Sequence, residues 1–149
     1  MRRERLLPDS EARAILKKGE YGVMSTISPD GTPYGVPLNY YYDEEEDAIF
    51  FHCAQRGHKL DSISFHSRVS FTVVTLAQID APNLTTLYES AIATGLVSFV
   101  STDAEKKLRL QGLCRALTPS VSADTCDALP HTAVVRISIQ TVTGKRNDS

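Results

Sequence analysis

The sequence predicts a mainly β fold: an antiparallel β-barrel, or a strongly curled sheet, with a few peripheral helices. Three observations lead there. Strand-forming runs follow one another across short turn signals, which favours antiparallel pairing. The first three runs have no helix between them, so the regular strand–helix alternation of a doubly wound fold is missing. The length of 149 residues, with 42% hydrophobic and 23% charged, suits one globular domain spanning 1–149.

Each element has a local reason. A first helix is expected over Ser10 to Lys18, capped by Asp9 or Ser10, with Ala12, Ile15 and Leu16 as its apolar stripe and Gly19 as its stop. Tyr21 to Ser28 is a strand. Ser28-Pro29-Asp30-Gly31 turns it, because proline presets one turn angle and glycine accepts positive φ. Pro33 to Tyr42 returns as the second strand, and Ala48 to Cys53 closes a three-strand meander after the acidic run Asp43 to Asp47. A short helix follows over His58 to His66, then strands over Arg68 to Leu76 and Tyr88 to Ser101. Thr102 and Glu105 form a capping box for the clearest helix, with Leu108, Leu113, Cys114 and Leu117 as its buried stripe and Pro119 at its end. A brief helix over Ala123 to Leu129 and a last strand over Thr132 to Thr141 complete the reading.

Composition narrows the function. Sixteen Lys+Arg against eighteen Asp+Glu give a net charge of −2, which argues against an electrostatic grip on nucleic acid. No run approaches the apolar length of a spanning helix, and the N-terminus lacks the apolar stretch of a signal peptide. Three cysteines without a CxxC pair make no disulfide framework, so a reducing cytoplasm is the simplest compartment, and Cys53 and Cys114 read as small core residues. GxGxxG and GxSxG are absent, and Gly144-Lys145 lacks the rest of a P-loop. His52 and Cys53 are neighbours on a strand and point to opposite faces, so a shared zinc site is not expected. His66 and His131 read as surface residues.

Chemistry concentrates in Phe51 to Ser62, FHCAQRGHKLDS. A strand ends in His52, a turn holds Gly57, and a helix opens with His58 and Lys59. Helix N-termini carry free backbone N–H groups and partial positive charge. Arg56, His58, Lys59 and Ser62 would add donors for a phosphate-sized anion. Basic residues in a first turn oppose the macrodipole unless an anion compensates. The rival reading is a solvated turn whose long side chains reach water, and residue chemistry leaves both open.

The segments YGVPLNYYYD and FFHCAQRGHKLDSI, separated by an acidic turn, resemble the FMN-binding core of the pyridoxamine 5′-phosphate oxidase-like split β-barrels. Within that superfamily the chain most resembles the nitroimidazole-resistance (Nim-type) flavoproteins, and the likeness covers nearly its whole length. The resemblance implies an antiparallel split β-barrel, a homodimer, and FMN at the subunit interface. It implies that Val36, Pro37, Leu38 and Asn39 line the isoalloxazine ring. It also implies that His58 and Lys59 hold the phosphate with help from Arg56 and Ser62. His52 and Cys53 would then end the strand beside the flavin, with His52 towards the substrate, and Lys145 would reach the cofactor. The chain departs from true pyridoxamine phosphate oxidases in lacking tryptophan and their arginine-rich substrate-binding end, so a phosphorylated vitamin B6 substrate is not expected.

The expected activity is therefore an FMN-dependent reductase. Electrons would pass from NAD(P)H through FMN to a small electron-poor acceptor such as a nitroaromatic, with His52 as the catalytic residue. Two alternatives remain: a non-enzymatic FMN storage or sensing protein, and a haem- or deazaflavin-binding relative on the same barrel.

Overall fold

A computed structural model describes residues 2–118 and 132–148. Its strands are β1 (Leu6–Leu7), β2 (Tyr21–Ile27), β3 (Pro33–Asn39), β4 (Tyr41–Asp43), β5 (Ala48–Ala54), β6 (Arg68–Asp80), β7 (Thr85–Phe99) and β8 (Thr132–Asn147). The helices are α1 (Asp9–Lys18), α2 (His58–Phe65) and α3 (Asp103–Leu117). All strand pairs are antiparallel, in the order β3-β2-β6-β7-β8-β5-β4, with β1 added beside β8.

That order explains the curl. β3 and β4 are the two ends of the sheet, yet only Tyr40 separates them in the chain. One residue spans a few ångströms, so the sheet must roll until its edges nearly meet. The expected single strand Pro33 to Tyr42 is thus two strands, and the expected meander is not formed. β3 pairs with β2, whereas β5 pairs with β4 and β8. The break occurs because Tyr40 turns fully into the core, where its hydroxyl donates to the Leu16 carbonyl at 2.5 Å. Tyr40 also explains Gly19: a Cβ there would overlap the tyrosine hydroxyl and Val73. Close approach, rather than a left-handed stop, is what requires glycine.

The barrel interior holds Ile15 and Leu16 of α1 together with Met24, Phe51, Phe71, Val73 and Ile137. A second apolar cluster lies outside β5, where Phe50, Ala48 and Val134 pack against Leu110 and Leu113 of α3. Thr102 caps α3 as expected, its hydroxyl accepting the Glu105 N–H at 3.2 Å. The buried face of α3 differs from the expected stripe. Arg109 is buried and Leu108 is exposed, because Asp43 and Glu46 draw the guanidinium inward. At α1, Pro8 occupies the N-cap and no side chain caps the helix, so neither Asp9 nor Ser10 does so.

Cys53 is buried and free. Cys114 is half-buried and disulfide-bonded, which corrects its reading as a small core residue and removes that support for a reducing compartment. The expected brief helix over 123–129 and the surface reading of His131 lie outside the described residues. Among the described residues, no helix is long and apolar enough to cross a membrane.

Candidate functional site

The start of α2 is built unlike that of α3. Its N-cap is Gly57, with φ 145° and ψ 171°, a region essentially closed to residues with a Cβ. No side chain caps the helix, so its first N–H groups are not taken up locally. Lys59 follows in the first turn, half-buried. Its charge reaches the end of β5: partial desolvation lowers the His52 pKa and the Lys59 ammonium lowers it further. Burial raises the Cys53 thiol, an effect Lys59 partly offsets. His52 itself is exposed and Cys53 buried, on opposite faces of the strand as the alternation requires.

His58 is held more firmly than its sequence position suggests. Its Nε2 lies 2.9 Å from the Ser28 hydroxyl, and its ring meets Tyr34 edge-on with centroids 4.4 Å apart. Ser28 and Tyr34 flank the β2–β3 turn, so the hairpin, the start of α2 and the end of β5 converge on one corner of the barrel. Sequence reasoning missed both residues. Ser28 was visible only as part of the turn signal, and no local pattern marks Tyr34.

The other expected site residues divide. Arg56 is exposed and lines an open cleft of about 630 Å³ with Gln55, Gly57, Asp61 and Phe99. Ser62 is fully buried, and its hydroxyl donates to the His58 carbonyl at 2.9 Å, which braces the first turn of the helix. Along β3 the side chains alternate between the two faces of the sheet. Leu38 is buried in the core and Val36 packs against it. Pro37 and Asn39 are exposed on the other face, and the Asn39 amide donates to the Glu20 carbonyl. Lys145 lies between Leu6 and Ser90, near the far end of β8 from the Val134 that pairs with His52, so within one chain it stands away from this corner.

A curled antiparallel sheet whose edges are joined through a single residue, with a glycine-opened basic helix at one corner, defines a split β-barrel. The profile of the pyridoxamine 5′-phosphate oxidase family matches residues 8–146, and the chain belongs to that family. Similar solved structures include a candidate 5-nitroimidazole antibiotic resistance protein from Bacteroides thetaiotaomicron. It is 21% identical, with a TM-score of 0.80 over 94% of this chain and 85% of that one. An FAD-binding protein from Mesorhizobium loti is 20% identical, with a TM-score of 0.72 over 97% and 98% of the two chains. An FAD- and haem-binding protein from Mycobacterium smegmatis is 16% identical, with a TM-score of 0.78 over 95% and 72%. These likenesses show a shared fold. No curated protein matches the chain.

Proposed function

We propose that this chain is an FMN-dependent oxidoreductase. It takes electrons from a reduced nicotinamide and delivers them to a small electron-poor acceptor such as a 5-nitroimidazole or another nitroaromatic. The observation that carries the reading is the α2 start: an uncapped helix terminus opened by a glycine-only conformation, with Lys59 in its first turn and Arg56 just before it. These residues fit a dianionic phosphate. Free N–H groups and the helix dipole favour the anion, and lysine adds a point charge. Membership of the pyridoxamine 5′-phosphate oxidase family, together with an FAD-binding protein on the same fold, supports the choice of ligand.

FMN, when bound, supplies the hydride and electron chemistry. The residues of this chain would bind, orient and protonate. The α2 N–H groups and Lys59 would hold the phosphate, and the β3 backbone would line the ring. His52, whose pKa is lowered by partial desolvation and by Lys59, orients the acceptor or holds a proton at a ring nitrogen. The working unit is a homodimer with the cofactor between protomers. An apolar patch on the outer sheet face supports this: Tyr21, Val23, Val74, Ile92 and Leu96 are all exposed.

The absorption spectrum of the purified protein, followed by titration with FMN, tests the reading. A flavin spectrum and NAD(P)H oxidation accelerated by a nitroaromatic are expected. A protein that takes up no FMN overturns the assignment, and a haem spectrum replaces it. Bound FMN with no acceptor-dependent turnover favours storage or sensing.

A further inference from the structure

We infer that Ser28 is a positioning residue for the phosphate end of this site, acting through the His58 ring; the inference rests on the FMN reading above. An ordinary N-cap side chain does two jobs at once. It takes up free N–H groups and it fixes how the chain enters the helix. At α2 the first job is left undone, because the N-cap is a glycine and no side chain caps the helix. That leaves the N–H groups to a ligand, but it also leaves the helix start without a local anchor.

The anchor comes from across the fold. His58 is the first residue of α2, and its Nε2 lies 2.9 Å from the Ser28 hydroxyl. Tyr34 closes on the same ring edge-on, with an interplanar angle of 80°. Ser28 cannot yield. It is 3% exposed, its N–H donates to the Thr32 carbonyl at 2.9 Å, and its own carbonyl accepts the Gly31 N–H at 2.8 Å. Asp30 stiffens the same turn by accepting the Thr32 N–H at 2.9 Å. The hairpin therefore sets where residue 58 sits, and with it the direction of the N–H groups at residues 58–60. With Nε2 engaged by Ser28, the His58 side chain acts as a clamp, and the phosphate is gripped by backbone N–H groups and Lys59. This revises the role that resemblance gave to His58.

The test compares FMN with riboflavin, which lacks only the phosphate, by quenching of flavin fluorescence on binding. The variants are Ser28→Ala, Ser28→Thr, His58→Phe and the double variant Ser28→Ala/His58→Phe. Loss of one neutral hydrogen bond predicts that Ser28→Ala weakens FMN about three- to tenfold and leaves riboflavin unchanged. His58→Phe should cost a similar factor, the double variant no more than either single, and Ser28→Thr should restore most of the affinity. The ¹⁵N signals of His58 should lose their tautomer preference in Ser28→Ala. Equal losses for FMN and riboflavin would mean a purely structural role and overturn the inference. So would additive losses in the double variant, or a His58→Phe loss far beyond that of Ser28→Ala. A wild-type protein that binds FMN no better than riboflavin refutes the phosphate cradle. One that binds neither refutes the FMN reading itself, and the inference falls with it.

Discussion

Replacing Arg109 with methionine should cost about 2–3 kcal/mol of stability. The side chain is 7% exposed. Its Nη1 donates to Asp43 Oδ2 at 2.6 Å, its Nη2 lies 2.9 Å from Glu46 Oε1, and its guanidinium sits 4.0 Å above the centre of the Phe50 ring. Breaking a fully buried pair costs about 3–5 kcal/mol, because the partner is stranded without water. Asp43 and Glu46 are 21% and 41% exposed and can rehydrate, so the ionic loss falls below that range, to about 1–2 kcal/mol. Losing the cation over Phe50 adds about 1 kcal/mol. Methionine keeps the aliphatic stem, so little cavity cost is added. Reversible urea unfolding should show a lower midpoint with unchanged slope, and thermal unfolding a midpoint lower by about 5–10 °C. A change under about 0.5 kcal/mol would show that the cluster merely breaks even against its desolvation, and the account of why α3 turns Arg109 inward would fail.

Three further outcomes are expected. Lys59→Ala should raise the His52 pKa in an NMR titration, while leaving it below the ordinary histidine value, since partial desolvation is the larger cause of its depression; no rise would place the ammonium elsewhere. Gly112→Ala should destabilise the protein by about 1–3 kcal/mol, because the new Cβ would meet the Tyr41 ring at 2.6 Å; calorimetry checks it. Burial opposes ionisation of Glu89, yet hydrogen bonds from Lys18, Thr75 and Arg146 bring its pKa down to about 2. A carboxylate depressed in the folded state contributes stability above its unfolded pKa and loses it as pH falls through the folded one. Up to about 3 kcal/mol should therefore disappear between about pH 4.5 and pH 2, and Glu89→Gln should flatten that part of the profile.

What the sequence revealed depended on the reach of the interaction. Thr102 and Glu105 are three residues apart, and their cap was legible. So was the turn at Ser28 to Gly31, where Gly31 has φ 85°. The basic cluster around Gly57 was legible as a cluster, but the duties of its members were not. Ser62 turned to a carbonyl four residues back, and His58 to a serine thirty residues earlier, a contact that no local pattern encodes. Pairing was harder still. Tyr40 to Tyr42 read as the continuation of one strand, since strand propensity says nothing about which neighbour a strand will find. Arg109 broke the expected stripe of α3 because its partners are on β4 and the turn that follows it.

The position of β8 has a consequence for biosynthesis. Along one edge it pairs with β7, and along the other with β5 and then β1, so the middle of the barrel is filled by the strand that leaves the ribosome after all the others described. Until it emerges, β5 and β7 present unsatisfied backbone edges towards an empty slot. The nascent chain must wait with those edges exposed, a window in which chaperone binding or intermolecular strand exchange competes with correct closure.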